Sequence, residues 1–152
     1  MLFYSLALLI AGLDQLLKLL VVKNLALGQS LPLIGRAVKL TYVRNTGAAF
    51  SLFVGFSPYL AVIGLIAAAV VIYWHTRASS KNILLQIGLA AVLGGCGGNL
   101  LDRVFRSYVI DYLDFKLWPV FNLADLAINL GVVLLAWSLF RQKEEKHAAG
   151  SV

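Results

Sequence analysis

The stretch ILLQIGLAAVLGGCGGNLLDR, residues 83–103, decides how the chain is read. Residues 83–101 carry no charged side chain, and then Asp102 and Arg103 follow at once. A helix of about 20 apolar residues crosses a hydrocarbon layer of ~30 Å. The stretch is therefore a membrane span that ends on charge. Three more blocks of the same kind flank it, at residues 2–22, 56–74 and 123–140. Composition agrees: 61% of the 152 residues are apolar and 13% are charged, about half the share of a soluble domain. Too few polar groups exist to cover a water-soluble surface, and one cysteine cannot staple a disulfide scaffold. The chain reads as an all-α integral membrane protein of four helices, one domain over residues 1–152.

The connections differ in kind. His75 to Asn82 is a short polar turn. The segment 23–55 holds Gly28, Pro32 and Gly35, then the β-branched and aromatic run of residues 39–43. That pattern predicts a small, partly β element on the membrane surface between the first two helices. Residues 103–120 are expected to be irregular, and the charged run 141–152 a disordered tail. The first span carries Asp14 and Lys18 and lacks a basic leader, so it is expected to stay in place. The net charge of +6 is scattered between apolar blocks, which favours contact with anionic membrane lipid and excludes a nucleic-acid face.

With four spans, the ends of the first and third meet the starts of the second and fourth. Asp14, Asp102, Asp111, Asp114 and Asp125 all fall on that side, while Glu144 and Glu145 lie on the other. Acids in a membrane are costly and usually functional. The basic residues divide almost evenly between the two faces, so they do not orient the chain.

Asp14 and Lys18, four apart, share a helix face and are expected to neutralise each other. Asn45 and Gly47 suit a hydrogen-bonded turn leading through Ala48, Ala49 and Phe50 to the second span. The glycines around Cys96 indicate close helix contact, and no Lys-Ser/Thr follows them to make a phosphate loop. Asn99, Asp102 and Arg103 form a supporting group in which Arg103 or a nearby base answers Asp102. Asn122 suits a helix cap, with Asp125 at the third helical position. His75 and His147 lie on the face away from the acids, which argues against a Ser-His pair or a His-bound zinc among them. Lys18 and Arg103 thus answer Asp14 and Asp102, and Asp125 is left with Asp111 or Asp114. Two carboxylates in one shielded site share a proton, the arrangement of aspartic peptidase chemistry, which needs neither metal nor cofactor.

Five motifs in order complete the reading: Asp14 to Lys18, Asn45 to Phe50, Gly98 to Arg103, Val109 to Tyr112 and Phe121 to Asp125. In these the chain resembles the lipoprotein signal peptidase family, signal peptidase II, which are bacterial membrane aspartic peptidases. Cys96 and Tyr112 stand where that pattern more often has Ala and Phe. The resemblance implies a catalytic pair at Asp111 and Asp125, supported by Asp14, Lys18, Asn45, Gly47, Asn99, Asp102, Arg103 and Asn122. The residues lean the same way: Val109 and Ile110 turn Asp111 inward, while Lys116 is expected to neutralise Asp114 at the surface. It further implies a diacylglyceryl-prolipoprotein substrate cut before its lipidated cysteine, and inhibition by globomycin-like peptides. The expected setting is a monomer in the cytoplasmic membrane, with both termini inside and the acids outside. A small proton-coupled carrier is the alternative, disfavoured because its acids would cross the midplane. A structural scaffold is third.

Overall fold

Four helices and three strands follow one another in the computed structural model, which describes residues 2–35, 37–47, 55–79, 81–116 and 118–149. The helices are α1 (Leu2–Asn24), α2 (Ser57–Arg77), α3 (Ile83–Arg106) and α4 (Leu123–Ala149); the strands are β1 (Ser30–Ile34), β2 (Val38–Asn45) and β3 (Val109–Asp114). All four helices are long and apolar enough to cross a membrane. Arg36, the turn residues Ala48, Ala49 and Phe50, and residues 150–152 lie outside the described residues.

The apolar side chains of α1, α2 and α4 mostly point outward, as a hydrocarbon solvent requires. Leu8 is 74% exposed and Phe140 71%, while Asp14, Lys18 and Asp102 are fully buried. Only α3 is largely enclosed, because the other three helices all pack on it. Its glycines permit this. A side chain at Gly94 would come within 2.7 Å of the Ala7 carbonyl on α1, and one at Gly95 would strike the Ala124 carbonyl on α4. Half-buried Cys96, which follows them, is a small packing residue against the cluster around Phe3 and Leu89, as expected.

The helices outrun the expected spans at their polar ends. α3 continues to Arg106 and stops where Ser107 adopts a left-handed backbone (φ 65°) and donates its N–H to the Arg103 carbonyl. The last helix does not end at residue 140. It runs to Ala149, since no Gly or Pro lies between Phe140 and Gly150 in the sequence. Residues 141–149 are thus a helical extension, against the expected disordered tail.

The surface element is a three-stranded antiparallel sheet in the order β1-β2-β3. The run at 39–43 forms part of β2, as its β-branched pattern predicts. The connection 103–120 is not irregular throughout: β3 lies within it and pairs with β2, Val43 opposite Asp111 and Asn45 opposite Val109. Val21, Leu25, Tyr42, Ile110 and Tyr112 form a core that seats the sheet on the end of α1. A second apolar cluster, with Phe3, Val71 and Leu89, closes the opposite end of the bundle.

Candidate active site

The first turn of α4 is where the polar network begins. A helix start leaves backbone N–H groups without partners, and in a membrane protein these must be answered by the protein itself. Asn122 N donates to Asp125 Oδ2 (3.2 Å), and Asp125 N donates to Asn122 Oδ1 (2.9 Å). This is a reciprocal capping pair. Leu123 N donates to the Tyr112 hydroxyl (3.2 Å), and Ala124 N to Asp14 Oδ1 (2.9 Å). Four orphan donors are thereby held by four side chains, two of them carboxylates at the positive end of the helix.

Asp14 belongs to a buried ionic cluster. Lys18 Nζ donates to Asp14 Oδ2 (2.7 Å), Asp102 Oδ2 (2.9 Å) and Asn99 Oδ1 (3.0 Å), which matches an ammonium's three protons to three acceptors. The expected Asp14–Lys18 pair is present. Arg103 is not the base that answers Asp102; Arg106, one helical turn on at 2.5 Å, shares that role with Lys18. Positions four apart on a helix face each other and adjacent positions do not. Gln15 ties the cluster together, donating to the Gly98 carbonyl (2.9 Å) and Asp102 Oδ1 (3.2 Å) and accepting from Arg106 (3.0 Å). A side chain at Gly98 would fall 2.5 Å from Asp14 Oδ2, so glycine there leaves room for the ion pair. Two acids and two bases make the cluster neutral, as deep burial demands. Ile110 N also donates to Asp102 Oδ2 (3.1 Å), anchoring β3 to it.

β3 carries Asp111 to the edge of this cluster. Asn45 Nδ2 donates to Asp111 Oδ2 (2.9 Å) and Asn122 Nδ2 to Asp111 Oδ1 (2.7 Å). Asn99 Nδ2 donates to Asp125 Oδ1 (2.8 Å). Each carboxylate oxygen of Asp111 and Asp125 therefore accepts one N–H. The amides are themselves oriented: Asn45 Oδ1 accepts from Gly47 N (2.9 Å), and Asn99 Oδ1 accepts from Lys18 and Asn122. Burial, and after it the charge of Asp125, push the Asp111 carboxyl up to about 7, against the N–H donors and Lys18 that favour its ionised form.

Asp111 and Asp125 line one cavity of about 660 Å³, together with Asn45, Asn99, Arg103 and Asn129. The rest of its wall is apolar, from Val109, Phe115, the run Trp118 to Phe121, Leu126 and Ile128. Arg103 faces this cavity, with weak donations to the Gly47 and Asn99 carbonyls at 3.4 and 3.5 Å. Asp114 does not line it. Its carboxylate accepts from Thr41 Oγ1 (2.7 Å), and among the described residues it forms no ion pair with Lys116, contrary to expectation. All ten residues expected at the site thus belong to the cavity or to the network behind it.

Sequence reasoning missed Gln15, Arg106, Tyr112 and Asn129. The first two were legible from spacing, since Arg106 is four from Asp102. Asn129 lies four beyond Asp125 in an apolar run and donates to the Asp125 carbonyl (2.9 Å), a polar residue where lipid is expected. His75 is remote, stacked on Phe3 (3.7 Å between rings) at the other end of the bundle.

Comparison with known proteins adds an independent line. A family model described as signal peptidase (SPase) II matches residues 6–141. The "Lipoprotein signal peptidase" of Moorella thermoacetica is 42% identical over 137 residues, covering 90% of this chain and 91% of that protein. The protein of that name from Bacillus subtilis is 40% identical over 139 residues, covering 89% and 90%. A solved bacterial membrane enzyme, determined by the in meso method at 2.3 Å resolution, superposes with a TM-score of 0.89 at 26% identity, covering 95% of this chain and 90% of that one.

Proposed function

From the premise that this chain belongs to the signal peptidase II family, a family of aspartic-type peptidases, we propose that it removes signal peptides from lipid-modified prolipoproteins with Asp111 and Asp125 as its catalytic pair. The observation that carries the assignment is their shared cavity, in which fixed amides hold all four carboxylate oxygens. Arg103 and two carboxylates sharing one proton are together neutral. A second negative charge would be uncompensated, so the pair retains that proton near neutral pH.

The chemistry follows from the shared proton. The ionised carboxylate takes a proton from water as the water oxygen attacks the scissile carbonyl carbon. The protonated carboxyl hydrogen-bonds the carbonyl oxygen and neutralises the charge that develops there. Proton transfer to the amide nitrogen then breaks the C–N bond, and the pair returns to its singly protonated state. Arg103, with only weak intramolecular donations, has N–H groups to offer a substrate carbonyl.

The wall of Phe115, Trp118, Phe121 and Leu126 suits a lipid-bearing residue, because Trp118 and Leu126 are also exposed on the outer surface. A diacylglyceryl-cysteine would keep its chains in the bilayer while the peptide bond before it reaches the acids. The sheet, resting over the end of α1, covers the peptide from the aqueous side. In this reading the acids face the extracytoplasmic side and both termini are cytoplasmic, and globomycin-like peptides compete for the cavity. A carrier role has less support, since the acids gather at one membrane face. The test is incubation of the purified protein with one precursor peptide in lipidated and unlipidated form. Cleavage of the lipidated form alone, before the modified cysteine, is expected; equal cleavage of both would refute the substrate assignment.

A further inference from the structure

The end of the bundle away from the acids holds a second polar site. A cavity of about 410 Å³ opens between the start of α3 and the charged end of α4, within the roughly 300–1,000 Å³ of small-molecule sites. Ser79 and Lys81, before α3, line it together with Arg141 and Gln142 of α4. Its frame is fixed: Asn82 Nδ2 donates to buried Ser138 Oγ on α4 (3.0 Å), while Asn82 Oδ1 caps α3 by accepting from Leu85 N (3.0 Å). Both cations are exposed, and among the described residues neither has an acid within ion-pair distance. The ion pairs among the described residues lie at the other end of the molecule.

Arg141 also lines a neighbouring cavity of about 380 Å³, formed with Trp137, Phe140 and Glu144. Trp137 and Phe140 are 62% and 71% exposed, which puts an aromatic surface beside the cationic one at the depth where spans meet headgroups. Glu144 on that side disfavours a second anion there, so the negative group belongs between Lys81 and Arg141. A cationic pocket that shares a wall with an aromatic one matches a molecule with an anionic head and apolar chains. We propose that this site binds an anionic phospholipid, a phosphatidylglycerol-type phosphodiester, with its phosphate between Lys81 and Arg141 and an acyl chain along Trp137 and Phe140. The site shares no lining residue with the cavity of Asp111 and Asp125.

The test uses the delipidated full-length protein in neutral detergent, with native mass spectrometry to count bound lipid and thermal melting to read its effect. The probes are phosphatidylglycerol, phosphatidylcholine with the same chains, and inorganic phosphate at equal ionic strength. Phosphatidylglycerol should bind roughly tenfold tighter than phosphatidylcholine and alone raise the melting temperature. The double change Lys81→Gln/Arg141→Gln should erase that preference, and Lys81→Gln alone should reduce it. Lys39→Gln/Lys143→Gln, which removes the same charge away from the pocket, should retain it. Equal binding of the two lipids by the parent protein overturns the proposal, as does a preference that survives the pocket changes or is lost equally in the Lys39/Lys143 control. Protection by phosphate alone would assign the pocket to a free anion and overturn the lipid.

Discussion

Asn122 and Asp125 hold each other by two backbone-to-side-chain hydrogen bonds, and this mutual cap aims the Asn122 side-chain amide at Asp111 (2.7 Å). Helix start and the geometry of the proposed pair are thus one construction. Asn122→Asp keeps the capping oxygen but replaces the donor with a carboxylate facing Asp111. It should retain the fold and lose cleavage by at least a hundredfold, with kcat falling more than KM rises. Asn122→Ala should in addition lose about 1–2 kcal/mol of stability, from the absent cap. Thermal melting beside single-turnover cleavage separates the two effects.

Lys18 neutralises two acids at once, so its removal is expected to be severe. Lys18→Met leaves Asp14 and Asp102 buried with one base too few, a loss of about 3–5 kcal/mol when one partner of a buried ion pair is removed. Adding Asp14→Asn to Lys18→Met restores neutrality and should recover much of the folded yield. Yield and melting temperature in detergent check this. A Lys18→Met protein as stable as its parent would show that the cluster is not held by charge balance.

The pH dependence has a defined sign. Folding raises the Asp111 carboxyl to about 7, so between pH ~4 and ~7 the folded chain holds a proton that the unfolded chain releases. The contribution of this group to stability is therefore full below pH ~4 and is lost as pH rises through about 7. Asp111→Asn, relative to its parent, should gain melting temperature at pH 8 compared with pH 5. Cleavage should fall above pH ~7, where the pair loses its shared proton, and should fall again in acid when both carboxyls are protonated. A rate that climbs steadily to pH 9 would contradict the shared proton.

Orientation is open to direct labelling. In a Cys96→Ala background, single cysteines at Leu33, on exposed β1, and at Ser79 should label differently with a membrane-impermeant thiol reagent on intact cells. Leu33→Cys is expected to react and Ser79→Cys to be protected. The reverse pattern would invert the topology.

The spans were legible because length and hydropathy alone define them, and the five aspartates were brought to one face by counting crossings. Legibility stopped where partners are distant in sequence. Residues 39–43 announce a strand by their β-branched pattern, but residues 109–114 hold two acids and form a strand only because β2 offers an edge. Asp111 and Asp114 are three apart and look alike in sequence. The register separates them, turning one toward Asn45 and Asn122 and the other toward Thr41. Arg103 shows the opposite case. Its assignment to Asp102 neglected helical spacing, which puts Arg106 on that face and leaves Arg103 to the cavity.

The central claim is the pair itself, and one set of single-turnover assays on a lipidated precursor tests it most directly. Asp111→Asn, Asp125→Asn, the double variant and Asp114→Asn are compared, each first shown to melt cooperatively. Either change in the pair should abolish cleavage, and the double variant should be hardly worse than either single one, since residues that act as a unit are non-additive. Asp114→Asn retains the acceptor for Thr41 and should keep most activity. An inactive, folded Asp114→Asn beside an Asp111→Asn protein that still cleaves would contradict the account.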